Sequence, residues 1–314
     1  MASLKGNFFR FLLRKTNNLN PLHTPDAVSK IRKLAASSLN DQTPKGFVMT
    51  KYKTPSGTAY ERVVKEGAPR NGNVVLYLHG GAYISGLLSF YRNLARDLCD
   101  AAGGAEMIFL DYHLSPEYKY PTQLNEAFDL WQDLLSQGYQ AGNIIIGGDS
   151  AGGNLTLALI LKLRDEGYDM PRGAFLISPW ADTTGSEETF YTNYGNDVMF
   201  GEKGKELTPE KRKAILESKL FGFIGDADRK DPYVSPVYGD YHGFPPMFFT
   251  TGGHEMLLSD TLTIIENAKS HDIRVECDIQ PEMFHIYAIY GNFMPESKIS
   301  YGKMVDFIRG LYKE

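Results

Sequence analysis

The chain has 314 residues, 42% of them hydrophobic and 23% charged, which supplies a large core and excludes extended disorder. No run approaches the ~18 uninterrupted apolar residues of a membrane span. The formal net charge of −5 gives no reason to expect a polyanionic partner such as nucleic acid. Cys99 and Cys277 are too few for a disulfide framework and sit in no metal-binding or redox pattern.

Near the N-terminus, Phe8, Phe9, Phe11, Leu12 and Leu13 cluster around Arg10. A secretory core would be longer, uncharged and followed by a small-residue cleavage site, so the chain reads as cytoplasmic. Residues 1–33 carry Lys5, Arg10, Arg14, Lys15, Lys30, Arg32 and Lys33 against Asp26. The solvated face of a capping helix is preferred over a surface-seeking amphipathic helix, because so weak an anchor needs a second signal; stable membrane insertion is not expected.

Further on, Phe47 to Lys53 and Thr58 to Val64 flank Pro55-Ser56-Gly57, the pattern of a hairpin. Asn73 to Leu78 is continuously apolar, as in a strand covered on both faces. Met107 to Leu110, Ile144 to Ile146, Ala174 to Ile177 and Met247 to Phe249 share that character. Between them, Leu124, Phe128, Trp131 and Leu135 recur at helical steps. Leu155 to Arg164 is apolar nearly all round, which predicts a buried helix, with Gly167 placed to end it. Ile299, Val305, Ile308 and Leu311 predict a terminal amphipathic helix. Alternating strands and helices imply an α/β domain around a mostly parallel sheet. Residues 1–45 and 181–233 break the rhythm, and the second, polar stretch, with a helical patch near Pro209 to Phe221, has the length of a lid or cap.

The most informative stretch is Ile144-Ile-Ile-Gly-Gly-Asp-Ser-Ala-Gly-Gly-Asn154, with Gly148, Ser150 and Gly152 spaced as Gly-x-Ser-x-Gly between a buried strand and an apolar helix. Small residues on either side let the backbone turn sharply and lift the Ser150 hydroxyl above the sheet, over the positive end of the helix. A phosphate loop is excluded, since Asn154-Leu155 stands where Lys-Ser/Thr is required. His254-Glu255 begins no zinc helix, because Leu258 replaces the second histidine. After the strand ending at Leu78 comes His79-Gly80-Gly81-Ala82-Tyr83. Acyl transfer needs backbone donors for an oxyanion, and the N–H groups of Gly80, Gly81 and Ala151 are the candidates. His79 is read as a structural histidine bonding its own loop. Tyr83 is the candidate for lining the acyl pocket, although core packing is the ordinary role of Tyr83, Tyr112 and Trp180.

Together these motifs resemble the hormone-sensitive-lipase family of α/β-hydrolases, bacterial carboxylesterases with a His-Gly-Gly loop and a Gly-Asp-Ser-Ala-Gly elbow. The resemblance runs from about Val74 to the C-terminus. It includes Asp111-Tyr-His-Leu-Ser-Pro-Glu117, Ser178-Pro-Trp180 and Asp231-Pro-Tyr-Val-Ser-Pro236. It implies one α/β-hydrolase domain, with a core over about 46–180 and 234–314 and a helical cap from about 1–45 and 181–233. The fold's order of serine, acid and histidine points to His285 as base, with His271 and His254 suited to structural roles. It points to Glu255 as acid, where the family more often has aspartate. Asp260 is read as opening the helix Thr261 to Ser270.

The implied activity is that of a serine carboxylesterase acting on small, short-chain acyl esters, needing no metal or cofactor. An amidase or arylformamidase with the same triad and a non-catalytic ligand-binding homologue are the alternatives. A true lipase would need a large apolar surface around the cap, and 181–233 is polar. A homodimer is left open. Ala82 stands where the family usually has a third glycine, and its methyl group is expected to disfavour bulky tertiary-alcohol esters.

Overall fold

The computed structural model describes residues 2–16 and 26–313. Of the N-terminal segment expected to cap the domain, residues 1 and 17–25 lie outside the described residues. The strands are β1 Phe47–Lys53, β2 Ala59–Lys65, β3 Val74–Leu78, β4 Glu106–Leu110, β5 Ile144–Asp149, β6 Gly173–Ile177, β7 Met247–Gly252 and β8 Val275–Gln280. The helices are α1 Leu4–Thr16, α2 Ala27–Ala35, α3 Ala95–Ala101, α4 Thr122–Ser136, α5 Ala151–Asp165, α6 Glu188–Thr192, α7 Pro209–Leu216, α8 Leu258–Ser270 and α9 Pro295–Leu311.

The strands form one sheet in the order β1-β2-β4-β3-β5-β6-β7-β8. β2 pairs antiparallel with both neighbours, and every pairing from β4 to β8 is parallel. The β1–β2 hairpin closes as its sequence dictates: the N–H of Gly57, at φ +104°, donates to the Thr54 carbonyl.

Both faces of β3, β4, β5, β6 and β7 are buried, and alternate residues serve different cores, whereas β8 at the sheet edge is partly exposed. Leu76, Leu78, Ile108, Ile146 and Leu176 face a cluster filled by α4, α5 and α8. Tyr77, Phe109, Ile145 and Phe175 face the other, with Leu98 of α3 and Phe307 and Ile308 of α9. Double coverage explains the uninterrupted apolar strands of the sequence.

Residues 181–233 hold α6, α7 and a 3-10 turn over Lys219–Ile224, so the expected helical patch breaks after Leu216. Despite its polar composition the segment has an apolar underside: Phe190, Tyr194, Ile215, Leu220, Phe221 and Phe223 join the core of the sheet. The parallel register puts Leu78 opposite Gly148, Gly148 opposite Leu176 and Ile177 opposite Thr250. The chain therefore leaves β3, β5, β6 and β7 along one edge, and the predicted site residues follow those exits.

Candidate active site

Ser150 lies between β5 and α5 at φ +53°, ψ −119°, a conformation that costs a non-glycine residue about 1–3 kcal/mol. The surroundings hold it there. Its N–H donates to the Ile177 carbonyl at 2.9 Å, and its carbonyl accepts from the N–H of Trp180 at 3.0 Å and of Asn154 at 3.1 Å. The flanking glycines are sterically required: a Cβ at Gly152 would collide with the Leu78 carbonyl, and one at Gly148 with the backbone of Gly152.

His285 follows β8 and is 3% exposed. Its Nε2 lies 2.9 Å from Ser150 Oγ, and its Nδ1 lies 2.8 Å from Glu255 Oε2. With the proton on Nδ1, the imidazole donates to the carboxylate and accepts from the hydroxyl, the arrangement that activates a nucleophile. The Phe200 ring covers the imidazole at 4.7 Å between centroids.

Glu255 is fully buried in the turn between β7 and α8. Its second oxygen, Oε1, accepts from Ser178 Oγ at 2.7 Å, from Thr251 Oγ1 at 3.1 Å and from the N–H of Gly252. Ser178, at φ +47°, also accepts at 3.0 Å from the N–H of Ile286, directly after the histidine. From 181–233, Asn193 Nδ2 donates to the Glu255 carbonyl at 2.8 Å, and buried Asp197 accepts from the N–H groups of Met256, Met199 and Phe200. One carboxylate thus ties the acid turn to the aromatic residue over the histidine, and burial pushes its pKa up.

Asp260 does not open the helix. α8 begins at Leu258, and the Asp260 carboxylate turns inward to accept from the N–H groups of Ala181 and Asp182, both at 2.8 Å. Burial raises its pKa well above the usual carboxylate range, and Asp182 adds repulsion. His254 accepts from Arg10 at 2.8 Å, with its pKa lowered by burial, and His271 Nδ1 donates to the Asn267 carbonyl at 3.0 Å.

The loop read as an oxyanion hole needs one correction. The Gly80 N–H is not available to a substrate, because it donates to Asp149 Oδ1 at 2.9 Å and to the Tyr91 hydroxyl at 3.2 Å. Asp149 is buried and also accepts from Tyr77 at 2.8 Å and Tyr91 at 2.9 Å. Burial raises its pKa, and these donors oppose the rise. Among the described residues, the N–H groups of Gly81, Ala82 and Ala151 have no protein acceptor. Tyr83 requires a second correction. It is 2% exposed, stacks on Phe223 at 4.3 Å and donates to Asn154 Oδ1 at 2.7 Å, so it props the loop from beneath and presents no pocket surface. His79 is the structural residue the sequence suggests. Its Nδ1 lies 2.8 Å from the Gly80 carbonyl, it stacks on Tyr112 at 4.1 Å, and burial lowers its pKa to about 4.

Sequence reasoning passed over Ser178, Asp197 and the anchoring role of Asp149. Ser178 alone left a local signal, a polar side chain closing an apolar strand at the edge from which Ser150 and Glu255 emerge. Among the described residues, no group of three or more His, Cys, Asp or Glu is placed to hold a metal ion.

A mostly parallel sheet in this strand order, with a serine on a strained strand-to-helix turn and a histidine and an acid on later loops, defines an α/β-hydrolase. Residues 75–289 match the alpha/beta hydrolase fold family. The chain belongs, within that fold, to the hormone-sensitive-lipase family. It is 33% identical to an esterase of Acinetobacter venetianus over 76% of this chain and 75% of the relative. It is 32% identical to an acetyl-hydrolase of Streptomyces hygroscopicus over 74% of this chain and 73% of the relative. The crystal structure of an esterase from the bacterial hormone-sensitive lipase family superposes with a TM-score of 0.81 at 27% identity, covering 99% of both chains.

Proposed function

We propose that this protein is a serine carboxylesterase. The observation that carries the reading is the unbroken hydrogen-bond chain Glu255–His285–Ser150, with links of 2.8 and 2.9 Å. Ser150 Oγ attacks the ester carbonyl carbon as its proton passes to His285 Nε2. The negative charge on the former carbonyl oxygen is met by the N–H groups of Gly81, Ala82 and Ala151, each worth about 3 kcal/mol of barrier. His285 then delivers its proton to the departing alcohol, leaving an acyl-Ser150 ester. Water, deprotonated by the same imidazole, releases the acid and restores the serine. Glu255 holds the tautomer and stabilises the imidazolium without becoming protonated.

Short acyl groups are the proposed substrates. Phe200 over His285 supports an aromatic enclosure beside the serine, and one relative is an acetyl-hydrolase. In this reading 1–45 and 181–233 serve as the cap. A fluorophosphonate should label the wild type covalently and leave Ser150→Ala unlabelled. Turnover of p-nitrophenyl esters should fall as the acyl chain lengthens beyond a few carbons. Labelling that persists in Ser150→Ala, or acyl amides cleaved faster than the matching esters, would reject the assignment.

A further inference from the structure

α1 meets the body of the protein with one side. Gly6 is buried, Phe9 packs against Tyr290 and Phe293 at 6.2 and 6.4 Å, Arg10 pairs with Glu282 at 3.2 Å, and Arg14 donates to the Asn196 carbonyl at 3.0 Å. The other side is apolar and open. Leu4, Phe8 and Phe11 are 91%, 58% and 53% exposed, and Phe293, in edge contact with Phe9, is 67% exposed. Positions 4, 8 and 11 fall at helical steps, so they form one stripe along the helix. A patch of large apolar side chains in water marks a surface that meets something.

The charges around the stripe identify what it meets. α1 contains Lys5, Arg10, Arg14 and Lys15 and no acid, in a chain of net charge −5. The two arginines are engaged on the inner side. Lys5 and Lys15 are exposed and form no ion pair among the described residues, and Lys15 Nζ rests 4.7 Å from the Phe11 ring centroid. Two copies packed through this face about a two-fold axis would bring these lysines together with no acid of α1 to meet them. An anionic surface with an apolar interior satisfies both halves of the patch.

We propose that the outer side of α1, with Phe293, is a docking surface for an anionic lipid bilayer. Leu4, Phe8, Phe11 and Phe293 enter the boundary between headgroups and acyl chains, and Lys5 and Lys15 stay at the headgroup level. An amphipathic helix this short needs a second signal to hold a membrane surface. Phe293 supplies one, from a part of the chain that only the fold brings beside α1. Attachment of this kind is peripheral and reversible, with no inserted span. It stands independently of the ester chemistry.

The test is co-sedimentation of the full chain with vesicles of phosphatidylcholine alone or mixed with phosphatidylglycerol. Binding is expected to the mixed vesicles only, and to weaken as salt rises. Phe8→Ser with Phe11→Ser should weaken it at least about tenfold, the loss expected when buried phenyl groups are removed. Lys5→Glu with Lys15→Glu should weaken it comparably while leaving the apolar stripe intact. Melting temperatures close to wild type show that the variants fold, and the exposed lysine pair serves should the phenylalanine pair not. Absence of binding to mixed vesicles, equal binding to both kinds, or self-association abolished by Phe8→Ser/Phe11→Ser without vesicle binding would each overturn the proposal.

Discussion

Ser178 donates a 2.7 Å hydrogen bond to Oε1 of Glu255, the oxygen turned away from His285. The same hydroxyl accepts from the N–H of Ile286, so one side chain fixes both Glu255, the proposed acid, and the loop that carries His285, the proposed base. Ser178→Ala removes a hydrogen bond to a charged group, worth about 1.5–3 kcal/mol, and kcat/KM should fall about tenfold to a hundredfold. KM should hold, because Ser178 is placed behind the triad and not at the substrate. A lowered melting temperature with kcat/KM unchanged would reduce Ser178 to a packing role.

Glu255→Gln keeps the shape of the acid and removes its charge. The amide can present NH₂ to His285 Nδ1, which favours the tautomer with its proton on Nε2 and unable to accept from Ser150. A loss in kcat of about 10⁴-fold is expected, the scale seen when the acid of the chymotrypsin triad is made an amide. Asp260→Asn should leave kcat within a few-fold, since its carboxylate holds the Ala181 and Asp182 backbone. Equal losses from both would mean that the acid has been misassigned.

Ala82 and Tyr83 are consecutive non-glycine residues in the left-handed region, at φ +53° and +58°. Glycine at 82 removes the Cβ clash, so Ala82→Gly should stabilise the protein by about 1 kcal/mol, read as a rise in the urea midpoint. It also opens space beside a proposed oxyanion donor, and the rate on tertiary-alcohol acetates should rise relative to primary acetates. An unchanged ratio would show that the Ala82 methyl group does not limit the alcohol side.

What could be read in the sequence follows from how local its cause is. The elbow around Ser150 was legible because strand, turn and helix are contiguous and Gly148 answers a clash within that unit, while Gly152 answers one with Leu78 of the neighbouring strand. Glu255 and His285 were legible because each leaves a strand at the same edge of a parallel sheet. Which glycine of the loop offers its N–H was not legible. Gly80 is turned inward by Asp149, 69 residues away, so its orientation is a tertiary fact. Asp260 had the composition of a helix start, but its partners at 181 and 182 lie on another loop and draw it inward. Tyr83 sits in sequence beside the oxyanion loop, yet Asn154 and Phe223 hold it below the site. The apolar underside of 181–233 was hidden by its polar average, since Phe190, Phe221 and Phe223 are scattered among charged residues.

His79 links the proposed oxyanion loop to solution pH. In the unfolded chain it protonates near its ordinary value of 6.5, whereas in the fold burial lowers its pKa to about 4. Between those values the unfolded chain holds the extra proton, so acidification favours unfolding. The stabilising contribution is complete above pH 6.5 and decays as pH falls toward 4, with a span on the order of 3 kcal/mol. Asp149, Asp197 and Asp260, whose pKa values are raised, contribute with the opposite sign, so the comparison must isolate the histidine. His79→Asn can keep a donor to the Gly80 carbonyl while removing the titration. Lost stacking on Tyr112 should make it less stable than wild type at pH 7.5, and the gap should narrow as urea midpoints are measured down to pH 4.5. A gap constant across that range would mean that His79 binds its proton equally well in the folded and unfolded chain.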